Sequence, residues 1–163
     1  MDFEFFEPGS VTPDAQQSTI QFWTDHQVLD LETATKRSSD LISFCIVDDK
    51  IEAVATGHVG IAYQLGQPVF HYRSYVTESH RNKGVATQLL LANYDRLEHF
   101  FTKQENPSAI GILCEFDHSL ARHFSQQLRW PKTQFSFIGR TQSGNHLRIR
   151  YFETVKLKTR ERT

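Results

Sequence analysis

The chain has 163 residues, 39% of them apolar and 23% charged, with a formal net charge of −1 and an isoelectric point near 6.7. That is enough chain for one domain with a sizeable core, and too balanced in charge to supply a global field for nucleic acid or an anionic membrane. No stretch reaches the ~20 apolar residues that span a bilayer, the acidic opening MDFEFFEPGS is no signal sequence, and Cys45 and Cys114 sit inside apolar runs as small hydrophobes. The expectation is a reduced, cytoplasmic, single domain over 1–163, with no metal and neither nucleic acid nor membrane as a partner.

Phe3 to Glu7 reads as a short aromatic strand ended by Pro8 and Gly9. Thr12 followed by Pro13 is an N-cap with proline at the first helical position, so a helix runs from Pro13 to about His26 with Ile20, Phe22 and Trp23 buried. A second short helix follows over Asp30 to Arg37. Leu41 to Val47 and Ile51 to about Gln64 are apolar runs around Asp48, Asp49 and Lys50, the mark of an antiparallel hairpin. Val69 to Thr77 (VFHYRSYVT) is rich in aromatic and β-branched residues and predicts a strand with His71, Arg73 and Tyr75 on one face.

From Gly84 to about Lys103 the apolar residues recur at helical spacing, and Ala109 to Phe116 is a nearly continuous apolar run suited to a strand buried on both faces. Asp117 then caps a helix through Leu128, stopped by Trp130 and Pro131. Phe135 to Arg140 and Leu147 to Leu157 flank the polar turn Gln142–Asn145 as a terminal hairpin. The order is a mixed α/β (α+β) domain of about seven strands and about four helices, with a strand–helix–strand crossover at its centre. Tyr63, Tyr72 and Tyr94 are expected in the core or a pocket wall.

The stretch HRNKGVATQLLL (80–91) places a basic, glycine-bearing turn at the mouth of a helix. The first N–H groups of a helix lack internal partners and its dipole favours negative charge, so such a turn suits a phosphate, with Gly84 and Ala86 keeping the approach open and Arg81 and Lys83 adding charge. An ordinary solvated turn has the same composition. A Walker loop and a dinucleotide fingerprint are both excluded by the glycine spacing.

VTESHRNKGVATQLL resembles the acyl-CoA signature of the GCN5-related N-acetyltransferases (GNAT family), whose core Arg/Gln-x-x-Gly-x-Gly/Ala falls on Arg81, Gly84 and Ala86. DHSLARHFSQQLRW is similar to that family's later Asn-x-x-Ala-x-x-Phe-Tyr-x-x-x-Gly-Phe stretch, with Ala121 and Phe124 retained, His118 for Asn, Ser125 for Tyr, Arg129 for Gly and Trp130 for Phe. The resemblance implies a largely antiparallel sheet in which strands 4 and 5 splay. It implies that acetyl-CoA, or another acyl-CoA, runs along Tyr75, Val76 and Thr77 with its pyrophosphate on Arg81, Asn82, Lys83, Gly84, Val85 and Ala86. A backbone N–H near Val76 would then hold the oxyanion.

The family's usual acid is a tyrosine where this chain has Ser125. His71 is the candidate base, Glu78 an alternative, and His123 a candidate replacement for the missing tyrosine; Glu115 is left open near the acceptor. The implied activity is acetyl transfer to a primary amine, on a small molecule or a peptide. The alternative is a catalytically silent GNAT domain that binds acyl-CoA and regulates a protein partner. Exposed strand edges in the last hairpin leave room for a homodimer.

Overall fold

The computed structural model describes residues 1–116 and 127–157. Ten elements follow the chain: β1 (Asp2–Phe5), α1 (Pro13–Asp25), α2 (Leu31–Ser38), β2 (Leu41–Val47), β3 (Lys50–Ala62), β4 (Gln67–Val76), α3 (Val85–Thr102), β5 (Gly111–Phe116), β6 (Ser136–Arg140) and β7 (His146–Tyr151). The strands form one seven-stranded sheet in the order β1-β2-β3-β4-β5-β7-β6. Its ladders are antiparallel at β1–β2, β2–β3, β5–β7 and β6–β7, and parallel at β4–β5. The parallel pairing is the one a helical crossover requires, and α3 supplies it. The helix expected over 117–128 falls on residues outside those described, apart from Gln127 and Leu128.

Local chemistry sets the boundaries. Thr12 caps α1, accepting the Ala15 N–H on its hydroxyl at 3.3 Å, and Asp30 caps α2, accepting the Thr33 N–H at 2.9 Å. The β2–β3 hairpin turns on Asp48 and Asp49, both left-handed at φ 48° and 60°, the backbone pair a two-residue turn of that hand demands. β3 stops at Ala62, two residues short of expectation, because the Ala62 carbonyl accepts from both Leu65 (3.0 Å) and Gly66 (2.8 Å) and closes a turn. Tyr63 is therefore carried out to solvent at 95% exposure, against the expected place in the core or a pocket wall. Tyr72 and Tyr94 are buried as expected.

β7 ends at Tyr151 rather than near Leu157. The next residues turn back, with the Val155 N–H on the Phe152 carbonyl at 3.5 Å and the Glu153 N–H donated to Glu98 Oε1 at 2.9 Å. β5 and β7 approach so closely that a Cβ on Gly111 would lie 2.5 Å from the Arg150 carbonyl oxygen, which reserves that position for glycine.

The chain divides into two compact units, Met1–His58 with Arg73–Asn93, and Val59–Tyr72 with Tyr94–Thr163. In the first, Phe22 and Trp23 of α1 and Ala34 of α2 pack on Leu41, Phe44 and Val54. Each such large side chain gives about 1.5–3 kcal/mol on burial, and the buried Asn93 amide donates to Ser43 Oγ at 2.8 Å. In the second, Ala62, Val69, Ile110, Leu113, Leu147 and Ile149 form the core. Both cysteines are buried and free. Burial pushes the Cys114 thiol far above its ordinary range. No helix among the described residues is long and apolar enough to cross a membrane.

Candidate functional site

The parallel ladder joins Phe70, His71 and Tyr72 to Ile112, Leu113 and Cys114 and then ends, although β4 runs on to Val76 and β5 to Phe116. The backbone of residues 73–76 thus lies beyond the ladder, and this is the stretch that leads into the basic turn. Val76 closes the strand, buried, with Tyr75 half-buried before it and Thr77 buried after it. A single helical turn of the tighter kind follows over Glu78–His80, with the His80 N–H on the Thr77 carbonyl at 3.0 Å.

Arg81, Asn82, Lys83 and Gly84 form the exposed turn itself, Val85 is the buried first residue of α3, and Ala86 is exposed. Asn82 and Gly84 are both left-handed, at φ 61° and 80°. Gly84 accepts the first helical bond of α3, from the Gln88 N–H at 3.0 Å. A Cβ built on Gly84 would meet only Gln88 Nε2, at 3.7 Å. Space is therefore open above Gly84, and its left-handed φ is what selects glycine. Alternating backbone hands at a helix mouth turn successive N–H groups toward one point, an arrangement that suits an anion.

Arg81 is drawn back toward the strand: its Nε donates to the Val76 carbonyl at 3.1 Å, its guanidinium lies 5.2 Å from the Tyr75 ring centroid, and Nη1 is 3.6 Å from Glu78 Oε1. These contacts hold its charge beside Val76, Tyr75 and Glu78. Glu78 is 86% exposed, and it lines an open hollow of about 370 Å³ with Asp25, His26, Gln27, Tyr75, Thr77 and Ser79. The His26 ring lies tilted against Phe22 at 4.8 Å and 6.5 Å from Tyr75.

Sequence reasoning missed Glu52. Its carboxylate accepts the Thr77 hydroxyl and lies 3.0 Å from His80 Nδ1, while its carbonyl accepts the Thr77 N–H at 2.9 Å. Burial works to raise the Glu52 pKa, but the Thr77 hydroxyl and the neighbouring His80 and His26 outweigh it and hold the group below the ordinary glutamate value. Nothing in the local pattern KIEAV distinguishes this glutamate; only the register of β3 with the end of β4 does.

Of the other candidate residues, His71 is half-buried on β4 opposite Leu113, in the second unit. Glu115 accepts from Asn145 Nδ2 at 2.8 Å. His123 and Ser125 lie outside the described residues.

No protein-family model matches the chain, and no curated protein matches its sequence significantly. Solved structures do match its fold. An aminoglycoside acetyltransferase in complex with coenzyme A and kanamycin aligns over 91% of this chain and 93% of its own at TM-score 0.59 and 13% identity. A GNAT-family acetyltransferase from Streptococcus pneumoniae aligns over 92% and 98% at TM-score 0.52 and 11% identity. A bacterial toxin aligns over 93% and 90% at TM-score 0.59 and 13% identity. The element order, the parallel ladder between β4 and β5 and these likenesses together give the chain the fold of the GCN5-related N-acetyltransferases.

Proposed function

We propose that the protein is an acyl-CoA-dependent N-acyltransferase that moves an acetyl group from acetyl-CoA to a primary amine in a ternary complex. The observation that carries this reading is the left-handed pair Asn82 and Gly84 in the turn that leads from β4 through Glu78–His80 into α3, within the GNAT fold. The residues fit the ligand's two demands. The turn offers helix-terminal amides and open space over Gly84 for a pyrophosphate, and the β4 backbone from Arg73 to Val76, beyond the ladder, offers hydrogen bonds for a pantetheine arm.

The chemistry follows from the reactants. The amine nitrogen forms a bond to the thioester carbonyl carbon, the C–S bond breaks, and the thiolate leaves with the electron pair. The amine's proton passes to a base or to water, since an amine with pKa near 10 is mostly protonated at neutral pH. A backbone N–H at Val76 would hold the oxyanion, a contribution of about 3 kcal/mol. A CoA thiolate leaves tolerably without an acid, so Ser125 in place of tyrosine does not bar the reaction. His71 is the proposed base with Glu78 as the alternative, and His123 is the proposed replacement for the missing tyrosine acid.

A thiol-release assay with acetyl-CoA and a panel of small amines and peptides tests the reading. Amine-dependent release of CoA above hydrolysis is expected, with Gly84→Glu abolishing it and His71→Ala lowering it and shifting its pH profile. Tight acetyl-CoA binding without turnover on any amine would replace the enzyme with the acyl-CoA-binding regulator of a protein partner.

A further inference from the structure

The turn that leads into α3 stands on a polar cluster contributed by three segments. Glu52 comes from β3, Thr77 from the end of β4, and Ser79 and His80 from the following turn. Around His80 Nδ1 lie Glu52 Oε2 at 3.0 Å, Ser79 Oγ at 3.0 Å and Thr77 Oγ1 at 3.3 Å. A carboxylate oxygen there can only accept, so the Nδ1 contact needs its N–H. Because the serine and the carboxylate meet the same ring nitrogen, the three residues are not wired as a nucleophilic relay, which needs the base and the orienting acid on opposite nitrogens. The His80 and Glu52 side chains are 21% and 16% exposed, so their pairing is less screened than a surface ion pair.

We propose that Glu52 is a positioning residue for the acyl-CoA turn. Through its contacts with Thr77 and His80 it holds the 78–80 turn so that the amides at 81–86 keep their aim. The inference rests on the acyl-CoA reading of the turn. The charged and titratable groups around the cluster are Cys45 on β2, His26 and Asp25 at the end of α1, Tyr75 on β4, and Glu78 and Arg81 beside His80. The Cys45 thiol is raised by burial and stays neutral, and Glu78 faces Arg81 at 3.6 Å. His26, which also acts on the Glu52 carboxylate, is the control for His80.

Acetyl-CoA is titrated calorimetrically into the wild type, Glu52→Gln, His80→Asn, the double variant and His26→Gln, with circular dichroism melts confirming that each folds. Asparagine keeps an N–H donor near the Nδ1 position. Kd rises by about fivefold in Glu52→Gln, and the double variant binds no more weakly than Glu52→Gln because both substitutions cut the same connection, while His26→Gln keeps the wild-type Kd. Folded Glu52→Gln with the wild-type Kd, or fully additive losses in the double variant, would overturn the proposal and leave acyl-CoA binding intact. A wild type that binds no acetyl-CoA would overturn the acyl-CoA reading and this inference together.

Discussion

Gly84→Ala separates the backbone's requirement for glycine from a requirement for space. At φ 80° the residue is left-handed, and an alanine forced to stay there costs about 1–2 kcal/mol. The methyl itself meets only Gln88 Nε2 at 3.7 Å, so packing adds nothing to that figure. In a chain of this size each kcal/mol moves Tm by about 2–4 °C, and the expected fall is about 2–8 °C. Gly84→Asn should lose less, because asparagine tolerates this conformation, as Asn82 does at φ 61°. Asn82→Gly should stay within about 0.5 kcal/mol of the wild type.

Melts with and without acetyl-CoA complete the test. Saturation at about 100 times Kd adds ~2.7 kcal/mol to the wild type. If the alanine variant relaxes its turn to escape the strain, the stability loss shrinks and the ligand shift shrinks with it. Gly84→Ala with both the wild-type Tm and the wild-type ligand shift would refute the argument that left-handed geometry at 84 builds an anion site.

Gly111→Ala should cost about 1–3 kcal/mol by overpacking, since its Cβ would lie 2.5 Å from the Arg150 carbonyl oxygen; a wild-type melt would show that β5 and β7 do not approach so closely. The folded Glu52 pKa lies below the ordinary value of 4.5, so its contribution to stability is complete above that value and is lost as pH falls through the folded pKa. Glu52→Gln should flatten the Tm profile on the acid side of pH 4.5, and an unchanged acid limb would contradict it. A thiol reagent such as Ellman's should label neither buried cysteine in the native protein and both after unfolding; rapid labelling of Cys114 would contradict its place in the core. Thr12→Ala should cost ~1 kcal/mol by removing the α1 cap seen at 3.3 Å from the Ala15 N–H, checked by denaturant melts.

The elements were legible because their signals are local. Thr12-Pro13 announced α1, Asp48-Asp49 the first hairpin, and the apolar spacing from Val85 to Phe101 the crossover helix, each decided by backbone chemistry within a few residues. Strand ends were less legible. β7 stops at Tyr151 and β3 at Ala62 because turns there satisfy carbonyls and side chains that no alternation pattern displays, and Tyr63 went outward for that reason. The basic turn was visible as a motif, yet its left-handed pair was not, since Asn82 carries no mark that separates it from any exposed asparagine.

Glu52 was invisible for a stronger reason. Its partners Thr77 and His80 are 25 and 28 positions away, and only sheet register brings them together. His123 and Ser125 lie outside the described residues.

Acyl-CoA binding at the 81–86 turn is the claim on which the function depends. Calorimetric titration of acetyl-CoA into the wild type and Gly84→Glu, both confirmed folded, measures it directly. The account predicts a saturable one-to-one heat for the wild type that vanishes in the variant, where a carboxylate stands at the mouth of α3. Absence of binding to the folded wild type, or equal binding to both proteins, would contradict it.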